Sequence, residues 1–480
     1  MLDLFPPTVG LTDLRSGRTL DGDGLRAEVF ARSALFSDSG LGRGKRLALA
    51  EPDPLAFLTD LLATWQIGAT VVCLPPSLTQ SERDNVAELT GAALWSGGET
   101  GGTVPCIPPG SARIPFPTLP PADIGLDEPA LILMTSGTTG TPKGVVHTHR
   151  SLRARLALNI AEIDAANLSR SLSLLPMHFG HGLIGNCLTP LAAGGTLFVM
   201  PDPGVDGLGR LGEIIDRNRI GFMSSVPAMW RIALRLSSPP KGGSLERVHV
   251  GSAPLPAALW RDIITWTGTR HVVNCYGITE TANWIGGADA DAHEPEDGLV
   301  GRPWGGAIRL LQEDGELSES GTGEVAVATP SLMAGYFERP DLTVSAFRGG
   351  WFLTGDRGEI DADGLLRIAG RRKNEINRAG IKVPAEEIDL LLERHPAISE
   401  ACAFGLADPV AGELVGAAIV LEDDADVTPA DILAWCELRI RREAVPSRLF
   451  VVGEIPKTDR GKINRDRVRD AVLKIGEPAA

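Results

Sequence analysis

Short apolar runs alternate with helical patterns through the first half of the chain. Residues 46 to 75 predict an apolar strand, a helix with apolar positions around Leu58 and Leu62, and a second strand, GATVVCLPP, that ends at two prolines. The same alternation recurs further along, where LALNIAEI and RLGEIIDRN predict helices and SRSLSLLPM, GGTLFVM and GFMSSVP predict strands. Strands that alternate with helices in this way predict an α/β fold with largely parallel sheets.

The pattern changes twice in the second half of the chain. From about Gly301, short strands and glycine turns, as in GTGEVAVA and GEIDADGLLRIAG, predict a small antiparallel sheet or barrel. After Lys373 a helix, EEIDLLLERHP, two strands, CAFGLAD and GAAIVLED, and a basic helical tail follow. They predict a compact α+β domain of about 110 residues. We therefore predict an N-terminal portion, residues 1–370, and a C-terminal domain, residues 371–480.

Composition and charge restrict the class of protein and of partner. A chain of 480 residues exceeds what one ordinary core holds, and 43% hydrophobic with 22% charged residues is typical of a globular protein. The formal net charge of −15 argues against a nucleic-acid partner and an anionic membrane, because both favour a positively charged face. Any anionic substrate therefore needs a locally basic site.

Neither the cysteine spacing nor the amino terminus indicates export. The six cysteines show no CxxC or Cys/His metal spacing, so we expect neither a disulfide framework nor a zinc site. The start, MLDLFPPTVG, lacks the basic and apolar regions of a signal peptide, and no stretch reaches the roughly 18 apolar residues of a membrane span. We expect a cytoplasmic protein without a membrane partner, and the sequence leaves its oligomeric state open.

The segment from Leu131 to Gly144, LILMTSGTTGTPKG, carries the strongest chemical signal. An apolar strand leads into a loop whose hydroxyl and backbone N–H groups suit phosphate oxygens, and Lys143 adds a positive charge. The loop is not the P-loop of nucleoside triphosphatases, because the GxxxxGK[ST] spacing is absent. The candidate phosphate-binding residues are Thr135, Ser136, Gly137, Thr138, Thr139, Gly140 and Lys143.

Six motifs in one order resemble a known family. TSGTTGTPKG is similar to the phosphate loop of the adenylate-forming, or AMP-binding, superfamily, which includes acyl-CoA synthetases and aryl-acid ligases. GSAPL, YGITE, GWFLTGD, GRRKNEINRAGIKVPAEEID and PKTDRGKINR follow in family order and extend the resemblance over essentially the whole chain. The resemblance implies a large N-terminal portion of two α/β subdomains plus a small β-barrel. A mobile α+β C-terminal domain would follow, with the site between the two.

The resemblance implies ATP-dependent activation of a carboxylic acid as an acyl-adenylate. The phosphoryl transition state needs cations and positioned donors, so Lys462 is expected to bridge the substrate carboxylate and the α-phosphate. Glu280 is expected to coordinate Mg²⁺, and Thr279 to form a hydrogen bond with the α-phosphate. These three residues are the candidate catalytic residues, and Glu280 is also the candidate metal ligand.

Other positions in the motifs are expected to bind the nucleotide or to move the domains. Asp356 resembles the residue that accepts hydrogen bonds from both ribose hydroxyls, with Arg371 supporting the sugar or the phosphates. Tyr276 is expected to stack on the adenine ring. Lys373 matches the hinge at which the C-terminal domain rotates between an adenylating and a thioester-forming pose. The remaining nucleotide-binding candidates are Gly251, Ser252, Ala253, Asn274 and Gly277.

The acid pocket is expected around the segment LLPMHFGHGLIGN. Phe179 falls on the position that gates this pocket in the family, and no acidic residue between Pro176 and Leu191 is present to pair with an amino-acid ammonium group. The segments INR and AEE look like those of aryl-acid ligases, so we predict a small aromatic or short unsaturated acid. The pocket candidates form a mostly apolar set, namely Phe179, His181, Ser225, Cys275, Ala282, Asn283 and Trp284.

Three acyl acceptors stay open. The locally basic carboxy-terminal tail suits the phosphates of coenzyme A, which is the first choice, or an acyl or aryl carrier protein bearing phosphopantetheine, which is the second. A third possibility is transfer to another nucleophile, such as an amine. A function of another class, a non-catalytic relative that binds a nucleotide or acyl ligand, is disfavoured by the intact set of candidate catalytic and nucleotide-binding residues.

Overall fold

The computed structural model describes most of the chain. The described residues are 5–97, 104–108, 122–135, 143–371, 374–378, 381–408, 412–423, 425–440, 442–457 and 462–475. The strands are β1 (Gly10–Asp13), β2 (Thr19–Asp21), β3 (Arg46–Leu49), β4 (Thr70–Cys73), β5 (Leu94–Ser96), β6 (Cys106–Ile107), β7 (Pro129–Thr135), β8 (Lys143–Thr148), β9 (Arg170–Ser173), β10 (Thr196–Val199), β11 (Phe222–Ser225), β12 (Arg247–Val250), β13 (Val272–Gly277), β14 (Trp284–Asp289), β15 (Leu299–Pro303), β16 (Ala307–Leu311), β17 (Leu317–Ser318), β18 (Gly321–Ala328), β19 (Gly335–Tyr336), β20 (Phe347–Arg348), β21 (Trp351–Ile360), β22 (Leu366–Arg371), β23 (Glu375–Arg378), β24 (Ile381–Pro384), β25 (Ile398–Asp408), β26 (Gly412–Leu421) and β27 (Arg448–Val451).

Helices connect these strands along the whole chain. The α-helices are α1 (Gly22–Asp38), α2 (Pro54–Gln66), α3 (Gln80–Thr90), α4 (His149–Ile163), α5 (Thr189–Ala192), α6 (Gly204–Gly209), α7 (Leu211–Asn218), α8 (Pro227–Leu236), α9 (Ala257–Thr267), α10 (Pro340–Ser345), α11 (Ala385–Glu393), α12 (Pro429–Glu437) and α13 (Arg465–Ile475). Shorter 3₁₀ turns occur at Asn167–Ser169, Thr279–Thr281 and Arg442–Ala444, and a π-helix spans His181–Leu188.

The first α/β subdomain is built on a sheet with the strand order β19-β8-β7-β4-β3-β5-β6. Strands β3, β4, β5 and β7 are parallel, whereas β8 pairs antiparallel with β7. Helix α2 starts after Asp53, whose carboxylate accepts hydrogen bonds from the amides of Leu55 and Ala56, and nearly all of its residues are buried. The β-α-β unit predicted over residues 46 to 75 is therefore confirmed.

The second α/β subdomain lies on a larger sheet with the order β2-β1-β10-β9-β11-β12-β13-β14-β15-β22-β21-β18-β16-β17. Strands β1, β10, β9, β11, β12 and β13 are parallel to one another. Parallel strands bring their carboxyl ends to one edge of a sheet, which is where ligands bind in open α/β folds. The loops that follow Ser225, Val250 and Gly277 therefore lie side by side at that edge.

The predicted small barrel is wrong for the part of the chain that the structure describes. Strand β15 pairs with β14 on one side and with β22 on the other, so the antiparallel strands extend the large sheet. Strand β17 ends this sheet as an edge and does not pair back to close a cylinder. The short strands and glycine turns correctly predicted an antiparallel region. Closure of the sheet into a barrel, in contrast, depends on which distant strand pairs with each edge strand.

The C-terminal part has its own sheet and its own core. The strand order is β24-β23-β26-β25, and β27 pairs parallel with β26. Helix α11 buries Ile388 and Leu392 on this sheet, and α13 buries Val468 and Val472. The predicted α+β composition is confirmed, whereas the boundary near Lys373 stays a prediction, because that residue lies outside the described ones. Across the described ranges, no helix is both long and apolar enough to cross a lipid bilayer.

Candidate active site

The candidate phosphate loop leaves and re-enters one pair of antiparallel strands. Thr135 ends β7 and Lys143 begins β8, and the Thr135 hydroxyl donates to the Lys143 carbonyl oxygen at 3.3 Å. The Lys143 ammonium group lies 5.3 Å from the ring centroid of Tyr336 in β19. These contacts define where the loop starts and stops. The predicted residues that fall outside the described part of the chain are Ser136, Gly137, Thr138, Thr139 and Gly140.

Thr279 and Glu280 lie in the 3₁₀ turn directly after β13. The Thr279 carbonyl oxygen accepts a hydrogen bond of 2.8 Å from Nε2 of His147. Burial lowers the pKa of His147 to about 4, so its ring is a neutral donor at pH 7. The Glu280 carboxylate accepts a hydrogen bond of 2.8 Å from the Tyr336 hydroxyl. Strands β8 and β19 therefore hold the turn in place beside Lys143.

Asp356 is buried and engaged on both carboxylate oxygens. The Tyr276 hydroxyl donates to Oδ2 at 2.6 Å, and Nε of Arg371 lies 2.8 Å from Oδ1. Asp356 and Arg371 are register partners on β21 and β22, and Tyr276 comes from β13. The structure thus brings together three of the predicted nucleotide-binding residues, and burial together with the Asp356 charge raises the pKa of Tyr276 well above its ordinary value.

Both tyrosines of the chain donate to a site carboxylate. The sequence contains two tyrosines, of which Tyr276 contacts Asp356 and Tyr336 contacts Glu280. Tyr336 was missed by the sequence reasoning, as was His147, because neither lies in the core of a recognised motif. The rarity of tyrosine in this sequence is a signal that could have drawn attention to Tyr336. The contact of His147 with Thr279 depends on folding, and no pattern in the sequence indicates it.

The loop Gly251-Ser252-Ala253 follows β12 at the same sheet edge. A Cβ atom on Gly251 would lie 3.1 Å from the Cys275 carbonyl oxygen and 3.6 Å from Cε1 of His181, so the position requires a small residue. Ser252 has a φ of 68°, a left-handed conformation that is strained for a residue with a side chain. The tight turn places the Ser252 hydroxyl against His181.

His181 is buried at the start of the π-helix and has a partner on each ring nitrogen. Nδ1 lies 2.7 Å from the Ser252 hydroxyl and Nε2 lies 2.7 Å from the Ser224 hydroxyl. Burial lowers the pKa of His181 to about 3, with the positive charge of Lys462 as the second cause. The ring is therefore neutral at pH 7, and each serine hydroxyl can act as donor or acceptor to match its tautomer.

Aromatic rings form one wall of the candidate acid pocket. The Trp284 ring makes edge-on contacts with His181 and His249, with centroid distances of 5.4 and 4.7 Å, and lies 6.4 Å from the Trp304 ring. Phe179 is half-buried just before the π-helix. Aromatic rings bury large apolar areas and prefer edge-on or offset packing, which suits a flat or compact ligand.

The residues after the Thr-Glu turn pack closely against β13 and the π-helix. Ala282 has a φ of 69° and is fully buried. A Cβ atom on Gly185 would lie 2.2 Å from the Asn283 side-chain nitrogen and 2.8 Å from the Trp284 ring. A Cβ atom on Gly277 would lie 2.5 Å from the Asn283 carbonyl oxygen. The two glycines therefore let this segment approach β13 and the π-helix, and only a residue without a side chain fits at either position.

Two predicted residues have their polar groups engaged by the fold behind the site. The Ser225 hydroxyl donates to the His249 carbonyl oxygen at 2.9 Å and accepts from the Trp230 indole at 2.7 Å. The Asn274 amide donates to the Leu299 carbonyl oxygen at 2.7 Å and joins β13 to β15. Their contacts support the strands that carry the site, and they do not converge with the Lys143, Glu280 and Asp356 groups.

Lys462 lies in the C-terminal part of the chain, three residues before Arg465 at the start of α13. Its side chain is exposed, and its positive charge is the second cause, after burial, of the lowered pKa of His181. Lys457 and Ile463, on either side of it, pair in an isolated β-bridge. The predicted hinge residue, Lys373, lies outside the described residues. The catalytic role of Lys462 stays a prediction.

Ion pairs join the two parts of the chain in this arrangement. Helix α8 of the large portion faces the end of α11 and strand β26, and Arg231 also donates to the Ser399 carbonyl oxygen at 3.0 Å. The pairs are Arg231–Glu393 at 2.7 Å, Arg235–Glu422 at 3.0 Å and Arg394–Asp297. Positive groups on α8 therefore meet acidic groups of the C-terminal part on the surface next to the site.

Comparison with known proteins places the chain in a family. Residues 6–337 match the model of the AMP-binding enzymes, and residues 387–462 match the model of the AMP-binding enzyme C-terminal domain. A sulfoacetate–CoA ligase from Cupriavidus necator is 31% identical over 478 residues, which cover 94% of this chain and 92% of the relative. A feruloyl-CoA synthase from Amycolatopsis sp is 31% identical over 466 residues, which cover 92% and 93%.

A solved structure has the same fold over nearly the full length. The crystal structure of ATP-bound MatB from Rhodopseudomonas palustris matches with a TM-score of 0.88 and 25% sequence identity, and the match covers 97% of this chain and 96% of that one. The two family models, the relatives and the solved structure agree with one another. The chain therefore belongs to the AMP-binding enzyme family and is an AMP-forming acid–thiol ligase.

Proposed function

We propose that this chain converts a small aromatic or short unsaturated carboxylic acid into an acyl-adenylate, releases pyrophosphate from ATP, and then transfers the acyl group to coenzyme A. The observation that carries the proposal is the position of Tyr336 between two charged groups of the site. Its ring centroid lies 5.3 Å from the Lys143 ammonium group, and its hydroxyl donates to Glu280 at 2.8 Å. A cation for the phosphates and a carboxylate for a metal ion, held side by side, are what adenylation requires.

The first step joins the acid to the α-phosphate. A carboxylate oxygen attacks the α-phosphorus, the bond to the bridging oxygen of pyrophosphate breaks, and pyrophosphate leaves with that electron pair. Lys462 donates to the acid oxygen and to the α-phosphate, where negative charge increases in the transition state. Removing one such donor typically costs ~3–4 kcal/mol, which corresponds to a loss of roughly 10²–10³ in rate. Lys143 neutralises charge on the outer phosphates.

Mg²⁺ fits the donor set that the site offers. Among the described residues no group of three or more His, Cys, Asp or Glu side chains could enclose a metal ion. Mg²⁺ is commonly held by one or two carboxylates together with substrate phosphates, so a single carboxylate suffices. Glu280, oriented by Tyr336 at 2.8 Å, would hold the ion beside Thr279. When bound, Mg²⁺ supplies charge neutralisation of the phosphates.

The walls of the pocket favour an acid with an apolar or flat body. Trp284 and the neutral ring of His181 face the pocket, and none of the pocket candidates among the described residues carries a positive charge. A second acidic group on the substrate would then be desolvated without a partner, which is unfavourable. The relative named a feruloyl-CoA synthase fits this preference, whereas the one named a sulfoacetate–CoA ligase points to a substrate with a second charged group.

The second step requires a different orientation of the C-terminal part. We propose that residues 371–480 rotate as a domain on residues 1–370, with Lys373 as the hinge, to admit the thiol of coenzyme A. The independent sheet that starts at Glu375 and the end of β22 at Arg371 support a boundary between these two residues. Loading of a carrier-protein phosphopantetheine and transfer to an amine are the alternatives that an acceptor test separates.

The test measures pyrophosphate release from ATP and Mg²⁺ with a panel of aryl, short unsaturated, dicarboxylic, long-chain and amino acids, each with and without coenzyme A. Lys462→Ala is compared with Lys474→Ala, which removes an exposed lysine on the next helix. We expect acid-dependent release that Lys462→Ala reduces by roughly 10²–10³ and that the control leaves unchanged. Acyl-CoA should accumulate in step with pyrophosphate.

Each contrary outcome has one meaning. Release only with long-chain, amino or dicarboxylic acids would overturn the proposed substrate class but keep adenylation. Pyrophosphate release without acyl-CoA formation would indicate that the acyl acceptor is a carrier protein or an amine. Undiminished release by Lys462→Ala would remove that residue from the reaction, and no release with any acid would favour a binding protein.

A further inference from the structure

Arg465 is the first residue of α13 and follows Lys462 by three positions. Its guanidinium group is largely buried. One nitrogen, Nη2, lies 2.5 Å from Oδ2 of Asp389 and 3.3 Å from Oε1 of Glu386, both on α11, and Nη1 donates to the Ala403 carbonyl oxygen at 2.9 Å. Two elements distant in sequence, α11 and β25, therefore converge on the start of α13, directly next to the candidate catalytic lysine.

The partners of Arg465 are themselves held by the fold. Asp389 accepts a second hydrogen bond, 2.5 Å long, from the Ala403 amide of β25. The side chains of Arg465 and Asp389 are about as buried as each other, with 15% and 14% exposed. Displacing either member of a buried charged pair leaves a desolvated charge without its partner, which is unfavourable. The start of α13 is thus rigid, and only Ile463 and Asn464 separate it from Lys462.

Glu386 connects the same cluster to the hinge region. Its Oε1 atom accepts a hydrogen bond of 2.5 Å from the Asn374 amide, just after the predicted hinge residue. Its Oε2 atom would lie 2.6 Å from a Cβ atom on Gly370, just before that residue. One carboxylate therefore contacts Asn374, just after the predicted hinge residue, and also Arg465, and it lies close to Gly370. The segment that carries Lys462 is in this way connected to the start of the C-terminal part.

We propose that Arg465 is a positioning residue for the adenylation step: its ion pairs with Asp389 and Glu386 hold the segment that delivers Lys462 to the acid and the α-phosphate. This inference rests on the proposed function, in which Lys462 acts in adenylation and withdraws before thioester formation. Arg465 should accordingly matter for the first half-reaction and not for the second. A residue needed merely for folding would affect both.

The experiment compares Arg465→Gln and Arg465→Lys with Arg469→Gln in the full chain. Arg469 lies one turn further along the same helix, where its contacts are the acidic residues Asp466 and Asp470 of that helix, so it is the matched control. Adenylation is measured as acid-dependent pyrophosphate release. The second half-reaction is measured as acyl-CoA formation from coenzyme A and acyl-adenylate prepared in advance.

We expect Arg465→Gln to lower kcat of adenylation about 10- to 100-fold with KM for ATP and acid nearly unchanged, because displacement of a reacting group by about 1 Å can cost that much. Acyl-CoA formation from the prepared adenylate should stay within about two-fold. Arg465→Lys, which keeps the charge but not the fork of donors, should recover part of the loss. Arg469→Gln should match the unaltered chain in both assays.

Two results would overturn the inference. One is adenylation by Arg465→Gln at the rate of the unaltered chain, and the other is an equal loss in both half-reactions with a lower unfolding temperature. If Arg465→Gln does not accumulate as folded protein, Asp389→Asn tests the same pair and must show the same split. Failure of the proposed function is distinct, since Lys462→Ala would then retain adenylation or the unaltered chain would show none.

Discussion

The Tyr276 hydroxyl donates a hydrogen bond of 2.6 Å to Asp356, whose other carboxylate oxygen lies 2.8 Å from Nε of Arg371. If the Asp356 carboxylate accepts hydrogen bonds from the ribose hydroxyls of ATP, its contacts with Tyr276 and Arg371 fix the orientation of that carboxylate. We expect Asp356→Asn to raise KM for ATP about 10- to 100-fold, because hydrogen bonds to a charged group contribute about 1.5–3 kcal/mol. Tyr276→Phe, which keeps the ring, should raise it about five-fold.

The measurement is initial-rate kinetics of pyrophosphate release with ATP and the acid varied in turn. The KM for the acid serves as the internal control and should stay within about two-fold in both variants. An increase confined to the acid would place Asp356 in the acid pocket and remove it from the nucleotide site.

Tyr336 should set the magnesium requirement through Glu280. The hydroxyl of Tyr336 donates to Glu280 at 2.8 Å, and partners of a metal ligand typically change metal affinity 10- to 100-fold. We expect Tyr336→Phe to raise the Mg²⁺ concentration for half-maximal pyrophosphate release about 10-fold, and Glu280→Gln to raise it further. Removal of divalent metal by a chelator should stop release, and added Mg²⁺ should restore it. Tyr276→Phe is the matched control and should leave the Mg²⁺ requirement unchanged.

Four buried histidines should make the fold sensitive to mild acid. Burial lowers the pKa of His147 and His149 to about 4 and of His181 to about 3, and that of His249 well below its ordinary value of 6.5. The unfolded chain therefore binds protons below pH 6.5 that the folded chain does not, so the free energy of unfolding falls as the pH drops through 6.5. Each histidine should contribute a loss of about 1.4 kcal/mol at pH 5.5.

Denaturant unfolding at pH 7.5, 6.5 and 5.5 checks this expectation. The four histidines together should account for a decrease of about 5.5 kcal/mol by pH 5.5. His147→Gln, which keeps a donor for the Thr279 carbonyl oxygen, should reduce the pH dependence by about a quarter of that decrease. A free energy of unfolding that stays constant from pH 7.5 to 5.5 would contradict the neutral, buried state of these rings.

The ion pair between Arg231 and Glu393 should favour the arrangement of domains used for adenylation. It is less exposed than the Arg235–Glu422 pair on the same helix, with side-chain exposures of 34% and 16% against 65% and 37%. We expect Arg231→Gln to slow adenylation about five-fold and Arg235→Gln to change it less than two-fold, because exposed pairs contribute little. Acyl-CoA formation from prepared acyl-adenylate should not slow in either variant. Equal effects of the two variants on adenylation would contradict a specific role for Arg231.

Much of the site could be predicted from the sequence because its groups sit at the ends of locally encoded elements. Thr135 and Lys143 flank a glycine-rich loop, and Thr279 and Glu280 follow a buried strand. The phosphate loop follows from residue type and spacing, whereas Thr279 and Glu280 were assigned from the resemblance of YGITE to a family motif. Their mutual approach depends on how the two sheets pack, because Thr135 and Lys143 belong to the sheet of β7 and β8 whereas Thr279 and Glu280 follow β13 of the large sheet.

The partners of these groups were decided by the tertiary structure. Tyr336 forms a hydrogen bond with Glu280, and His147 forms one with Thr279. His181 does so with Ser224 and Ser252. These partners are far apart in the sequence, and no local pattern indicates the contacts. The predicted barrel failed for the same reason, since β15 pairs with both β14 and β22 and so extends the large sheet.

The sequence by itself determined the family, the α/β architecture and the chemical groups at the ends of its strands, because these depend on periodicity, turn residues and short spacings. Only the tertiary structure decided which buried groups share a hydrogen bond, as with Tyr276 and Asp356 or Arg465 and Asp389. The physical reason is that such contacts depend on the packing of whole elements. A buried polar group must find its partner wherever the fold brings one near.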